Sequence, residues 1–173
     1  MFFVEINYME FKIKNRHRLR SKEIRKILFD LEATFGNSFF DDKLVFERGV
    51  FSSWDVILIN NEPLLFYKNG RIFFTLYGLS KYSIDRFFAV VDMGAVRFIA
   101  NGADVMAPGI VDADTSIKKE DIVWVCDEKH RKPLAMGFAL MNGEQMINEK
   151  KGKAISVFHH VGDDLWNFAA KSL

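Results

Sequence analysis

Along the first third of the chain the spacing of apolar positions changes twice, and each change predicts a different element. Lys12, Lys14, Arg16, Arg18 and Arg20 alternate with Ile13, Asn15, His17 and Leu19. That period of two predicts a half-buried strand, with Phe11, Ile13 and Leu19 turned inward and five cations on its outer face. Ser21 stands where a helix cap is needed. Ile24, Ile27, Leu28, Leu31 and Phe35 then follow the i, i+3, i+4, i+7 spacing of an amphipathic helix that Gly36 ends. From Lys43 to about Leu76 the short period returns, and LVFERGVF, DVILIN, PLLFYK and RIFFTL read as strands. Asn60-Asn61 and Asn69-Gly70 are the turn signals between them. Tyr77 to Arg86 reads as a more polar connector, with a domain boundary near Asp85.

Beyond that boundary FFAVVD reads as a strand, residues 92–101 as a helix, and Asp104 to Ala107 as a short strand before a Pro108-Gly109 turn. DIVWVC, PLAMGFALM and AISVFHH are further strands, with a short helix around Gly143 to Ile147. The tail GDDLWNFAAKSL fits strand or helix. Short strands at this spacing predict a small closed or half-closed barrel. The expected fold is therefore α+β in two compact modules, residues 1–85 and 86–173, with no internal repeat.

Composition narrows the class. Hydrophobic residues make up 49% of the 173, including 18 Phe, which is ample for a packed core, and 3 Pro with 11 Gly argue against a linker-rich chain. One cysteine, Cys126, lies inside DIVWVC. It cannot form a disulfide or a thiolate cage within this sequence, so a reducing compartment and a buried packing role are expected. The first residues carry Glu5 and Glu10 and no small-residue cleavage site, a poor signal peptide. No apolar run approaches the ~20 residues of a membrane span, and a soluble cytoplasmic protein is expected. The net charge of +1 hides a segregation: residues 12–26 hold eight Lys/Arg and a single acid, Glu23, while the rest holds sixteen against twenty-two. Clustering of this kind predicts a polyanionic partner.

The most informative stretch is VDMGAVRFIANGADVMAPGI, residues 91–110. Asp92 is placed to cap the helix. Gly94-Ala95 makes its first turn thin, Gly102-Ala103 ends it, and uncovered amides at a helix N-terminus attract phosphate. Met93, Arg97 and Asn101 recur every four residues, opposite Ala95, Val96 and Ile99, which sets Arg97 to clamp phosphate bidentately.

This stretch closely resembles the signature of the PUA domain, a module that holds structured RNA. Asn60-Asn61-Glu62-Pro63-Leu64-Leu65-Phe66, Ser80-Lys81-Tyr82 and Asp164-Leu165-Trp166 extend the likeness from about residue 55 to 168. Together they resemble the malignant T-cell-amplified sequence proteins, in which a pre-PUA domain precedes a PUA domain. The resemblance implies a small α/β pre-PUA domain followed by a PUA-type pseudo-barrel of short, mostly antiparallel strands. It also implies RNA binding in translation, on the small ribosomal subunit and near initiator tRNA. Longer members of the family work with the density-regulated protein, or carry its initiation-factor-like domain fused, as ligatin does. Such a partner would here be a separate chain. Asp104 stands where many PUA domains carry Asn, and Asp164 where the family has Gly.

The expected RNA-contacting residues are Lys12, Lys14, Arg16, Arg18 and Arg20 on the first module. On the second they are Met93, Gly94, Arg97, Asn101, Gly102, Ala103, Pro108 and Gly109. Two other roles stay open: an accessory that positions tRNA or rRNA for a modifying enzyme, and a scaffold that docks an acidic protein partner. His130 and His159-His160 lack a second ligand pair at zinc spacing, so no metal site is expected. Asp112, Asp114, Asp121 and Asp127 read as turn residues, and Trp124 and Trp166 as core. No nucleotide loop, nucleophile elbow or zinc helix is present, and neither catalytic residues nor a cofactor is expected.

Overall fold

The computed structural model describes residues 12–171; the inward placement read for Phe11 lies outside them. Its first sheet is an antiparallel meander of β1 (Lys14–Arg18), β2 (Phe46–Phe51), β3 (Trp54–Ile59), β4 (Glu62–Lys68) and β5 (Arg71–Phe74), in that spatial order. Both hairpin turns form as read: Asn60 and Asn61 have φ of 49° and 72°, and Asn69 and Gly70 have 51° and 72°. These are the left-handed pairs of a two-residue turn whose twist suits a hairpin.

Helix α1 (Ser21–Phe35) packs Ile24, Ile27, Leu31 and Phe35 inward. Its cap position is Arg20, not Ser21, and the Arg20 amide donates to the Glu23 carboxylate (2.9 Å). Gly36 closes the helix in the left-handed region, its amide donating to the Glu32 carbonyl. The stretch after β5 is no polar connector. It folds as α2 (Leu76–Lys81), which buries Leu76, Tyr77, Gly78 and Leu79.

The second sheet joins β6 (Phe88–Val91), β7 (Val105–Met106), β8 (Ile110–Ala113), β9 (Ile122–Asp127), β10 (Pro133–Ala139) and β11 (Lys153–His160), in the order β7-β11-β10-β9-β6-β8. All pairs are antiparallel except β6 with β9. Helix α3 (Met93–Ala100) follows β6, and α4 (Gly143–Asn148) links β10 to β11. The tail forms α5 (Asp164–Lys171), begun by Asp163, whose carboxylate accepts the Trp166 amide (2.8 Å). Ala107–Gly109 is a turn of 3₁₀ helix, so the short strand read over Asp104 to Ala107 is only two residues long.

Both faces of the second sheet are buried. Ile122, Trp124 and Cys126 on β9, with Val90 and Met136, join the core of the first sheet, together with Leu165, Phe168 and Ala169 of α5. The alternate residues Val123 and Val125, with Ala89, Val91 and Ala135, fill a second core closed by Ile99, Ala107 and Met146. Burial on both faces is why DIVWVC is apolar without alternation. The junction also carries polar links: Arg86 donates to the Thr34 carbonyl, and the Trp124 indole donates to the Arg86 carbonyl. The expected turn roles hold for Asp114, Asp121 and Asp127, whereas Asp112 lies within β8, opposite Val90 and 3.7 Å from Arg131. Asp127 accepts the amides of Lys129, His130 and Lys132, and Asp114 those of Phe87 and Ser116. Among the described residues no helix is long and apolar enough to cross a membrane.

Candidate nucleic-acid interface

The basic stretch forms a strand at the edge of the first sheet, but its cations do not share one face. Lys14 lies opposite Val50 and His17 opposite Arg48, so three residues of β1 span two of β2. The extra residue is taken up at Asn15, which has φ of 53°. A bulge of this kind reverses the phase of the side chains. Lys14 and His17 therefore fall on one face, and Arg18, opposite Glu47, on the other. Gly49 makes the bulge possible, since a Cβ there would lie 2.3 Å from Ile13 Cγ2 and 3.3 Å from Arg16 Cα. All five residues of β1 remain exposed.

Charge separates these cations further. Arg16 donates twice to Glu47, at 3.1 and 2.6 Å, and once to Asn61 at 2.6 Å. Its hydrogen-bonded guanidinium holds the Glu47 carboxyl below the usual carboxylate range. Arg16 is thus engaged within the protein. Lys12, Lys14, Arg18 and Arg20 make no ion pair among the described residues.

On the second sheet, α3 starts as read, with Asp92 Oδ1 accepting the Ala95 amide (2.9 Å). The Met93 amide donates to Glu128 (3.1 Å). Two carboxylates therefore take up the Met93 and Ala95 amides, and the expectation of bare amides is not met at those two positions. The Pro108-Gly109 turn packs beside it: the Asp92 amide donates to the Gly109 carbonyl, and a Cβ on Gly109 would sit 3.4 Å from Ala95 Cβ. Pro108 is exposed and Gly109 half-buried.

The outer face of α3 presents Met93, Gly94, Arg97, Phe98 and Asn101, all exposed, while Ile99 is buried and Ala95 and Val96 are half-buried. The Asn101 side chain donates back to the Arg97 carbonyl (2.8 Å). At the other helix end Gly102 has φ of 90°, and a Cβ there would meet the His160 ring at 2.9 Å. His160 is half-buried, its Nδ1 near the carbonyls of Ala100 and Val161. Ala103 is exposed, and its amide donates to Phe98. Asp104 does not stand as a free charge. The hydrogen-bonded Lys153 ammonium (2.7 Å) holds its carboxyl below the ordinary range, and Oδ1 accepts the Val157 amide.

A family model described as the PUA domain matches residues 88–161. A solved structure of a conserved PUA domain protein from Thermoplasma acidophilum is 30% identical, with a TM-score of 0.75 over 89% of this chain and 99% of that one. The chain belongs to the PUA-domain family. An uncharacterised protein of Methanocaldococcus jannaschii is 45% identical over 162 residues, 91% of this chain and 98% of its own. Translation machinery-associated protein 20 of Saccharomyces cerevisiae is 31% identical over 119 residues, 65% of this chain and 66% of the relative. The likeness to the malignant T-cell-amplified sequence proteins holds as well: that of Rattus norvegicus is 29% identical over 117 residues, 65% of this chain and 64% of the relative.

Within the PUA module, sequence reasoning passed over Phe98. Its ring is 55% exposed, and the Arg97 guanidinium lies 4.9 Å from its centre. The position four residues after the exposed Gly94 was the available signal, since residues at i and i+4 share a helix face. Lys22 and Arg25 on α1 likewise carry no sequence signal beyond their charge. They too are exposed and make no ion pair among the described residues.

Proposed function

We propose that this protein binds structured RNA in translation, the RNA being that of the small ribosomal subunit or tRNA. The observation that carries this reading is the group of exposed cations at Lys12, Lys14, Arg18 and Arg20 without ion-pair partners among the described residues. Such a group is the footprint of a phosphate backbone. Membership of the PUA family and the likeness to Translation machinery-associated protein 20 support the same role.

In this reading residues 1–85 form a pre-PUA domain and residues 86–173 the PUA domain. Lys12, Lys14, Arg18 and Arg20 contact phosphates, and Arg97, Asn101 and the backbone at Gly102-Ala103 and Pro108-Gly109 approach the RNA from the second sheet. Selectivity comes from RNA shape more than from base sequence. The protein is non-catalytic and cytoplasmic, and a separate chain with an initiation-factor-like domain is its expected partner.

The test is a salt series of binding to purified small ribosomal subunits and to bulk tRNA, for the native chain and for the double variant Arg18→Glu, Arg20→Glu. Binding should weaken linearly in log–log form, with a slope of about −0.7 to −0.9 per phosphate contact. It should collapse in the variant. Absence of binding to either RNA at low salt refutes the reading.

A further inference from the structure

The cationic surface continues from β1 onto α1, and it carries an aromatic ring that no contact among the described residues explains. Ile24, Ile27, Leu31 and Phe35 face the core. Opposite them, on a 3.6-residue period, stand Lys22, Arg25, Lys26, Phe29 and Ala33. Phe29, at the centre of this face, is 72% exposed, more than any other large hydrophobic residue described. No other ring and no cation packs on it among the described residues, unlike Phe98, which Arg97 covers.

Its neighbours are charged. Lys26 is tied to Asp30 at 2.7 Å, but Lys22 and Arg25 make no ion pair among the described residues. They precede Phe29 by about 10 and 6 Å along the helix axis. Beside the start of α1 lies an open cavity of about 490 Å³ lined by His17, Arg18, Arg20, Lys22 and Glu23. Glu23, the acid in that wall, is engaged with the Arg20 amide. Beyond Phe29, Glu32 ends the cationic run.

We infer that Phe29 is a stacking platform for an unpaired base of the bound RNA. Lys22 and Arg25 neutralise the phosphates flanking that base, and the cavity at the start of α1 receives the backbone. This rests on the RNA reading above and adds single-stranded character to the ligand. A ring among cations matches the alternation of base and phosphate, and aromatic stacking on a charged track is the usual way single strands are held. An acidic protein would satisfy the charge, but one isolated ring offers it little apolar area to bury.

The probe is a stem–loop RNA with a short single-stranded tail, compared with the same stem–loop lacking it. The native chain should bind the tailed RNA more tightly. Phe29→Ala should lose that advantage, weakening tailed-RNA binding roughly 5- to 150-fold, the range of a single lost base stack. Phe29→Trp should preserve it. All these variants sit on an exposed position and leave the core intact. If Phe29→Ala binds both RNAs like the native chain while Arg18→Glu weakens both, the inference is overturned and RNA binding stands. If neither RNA binds, the RNA reading itself fails. Salt-sensitive binding to a polyglutamate peptide with no effect of the tail would assign the face to an acidic protein and overturn the inference.

Discussion

Replacing His159 should reveal how firmly the two sheets are held together. The imidazole is fully buried on β11. Its Nε2 accepts the amide of Leu76, the first residue of α2, at 3.3 Å, so the ring proton resides on Nδ1 and is donated to Asp163 (2.6 Å). The ring also lies 5.3 Å from that of Trp54 on the first sheet. His159→Leu keeps most of the volume but strands the buried Leu76 amide, at about 1–3 kcal/mol, and removes a hydrogen bond to a charged group, at about 1.5–3 kcal/mol. The combined loss should be about 3–5 kcal/mol. In a protein of this size that lowers Tm by about 6–20 °C, measured by calorimetry near neutral pH.

Titration gives a second readout. Burial pushes the His159 pKa below its ordinary value despite Asp163. The unfolded chain then binds the proton more readily, so the stabilisation is complete above the unfolded value of about 6.5 and is lost as pH falls below it. Native Tm should decline on acidification from neutral pH, and the decline should be shallower in His159→Leu. A variant within about 3 °C of the native protein, with an unchanged pH profile, would refute the clamp.

Gly49→Ala should cost about 1–3 kcal/mol, because its Cβ would press on Ile13 beneath the β1 bulge; native-like chemical denaturation would show that β1 yields freely. Arg16→Ala should change stability by at most about 1 kcal/mol, since its pair with Glu47 is partly exposed. It should also leave the salt dependence of RNA binding unchanged, whereas Arg18→Ala should reduce the slope by about 0.7–0.9. Equal slopes in these two variants would contradict the internal engagement of Arg16. Asp104→Asn keeps an acceptor for the Val157 amide but releases Lys153. Stability should change by under about 1 kcal/mol and RNA affinity should rise; an unchanged affinity would place Lys153 away from the bound RNA.

Where the relevant physics is local, the sequence alone determined most of the outcome, the cap of α1 at Arg20 instead of Ser21 excepted. The period-two runs became strands, the 3.6-residue stripe became α1, and the paired Asn and Asn-Gly turns adopted positive φ because short polar side chains and glycine tolerate it. Asp92 capped α3 as read, and the PUA signature identified the family. The polar look of residues 77–86 concealed α2, whose burial depends on α5 and the second sheet. Alternation alone placed five cations on one face. Only the crossing of β1 over Gly49 decided that a bulge would divide them, and only the nearness of Glu47 decided that Arg16 would be occupied. The carboxylate of Glu128, thirty-five residues from Met93, took up the Met93 amide that local sequence left open. Propensity, turn chemistry and caps act between residues a few positions apart, so they are written along the chain. Register, charge pairing and exposure arise between segments that meet only after folding, and the tertiary structure alone sets them.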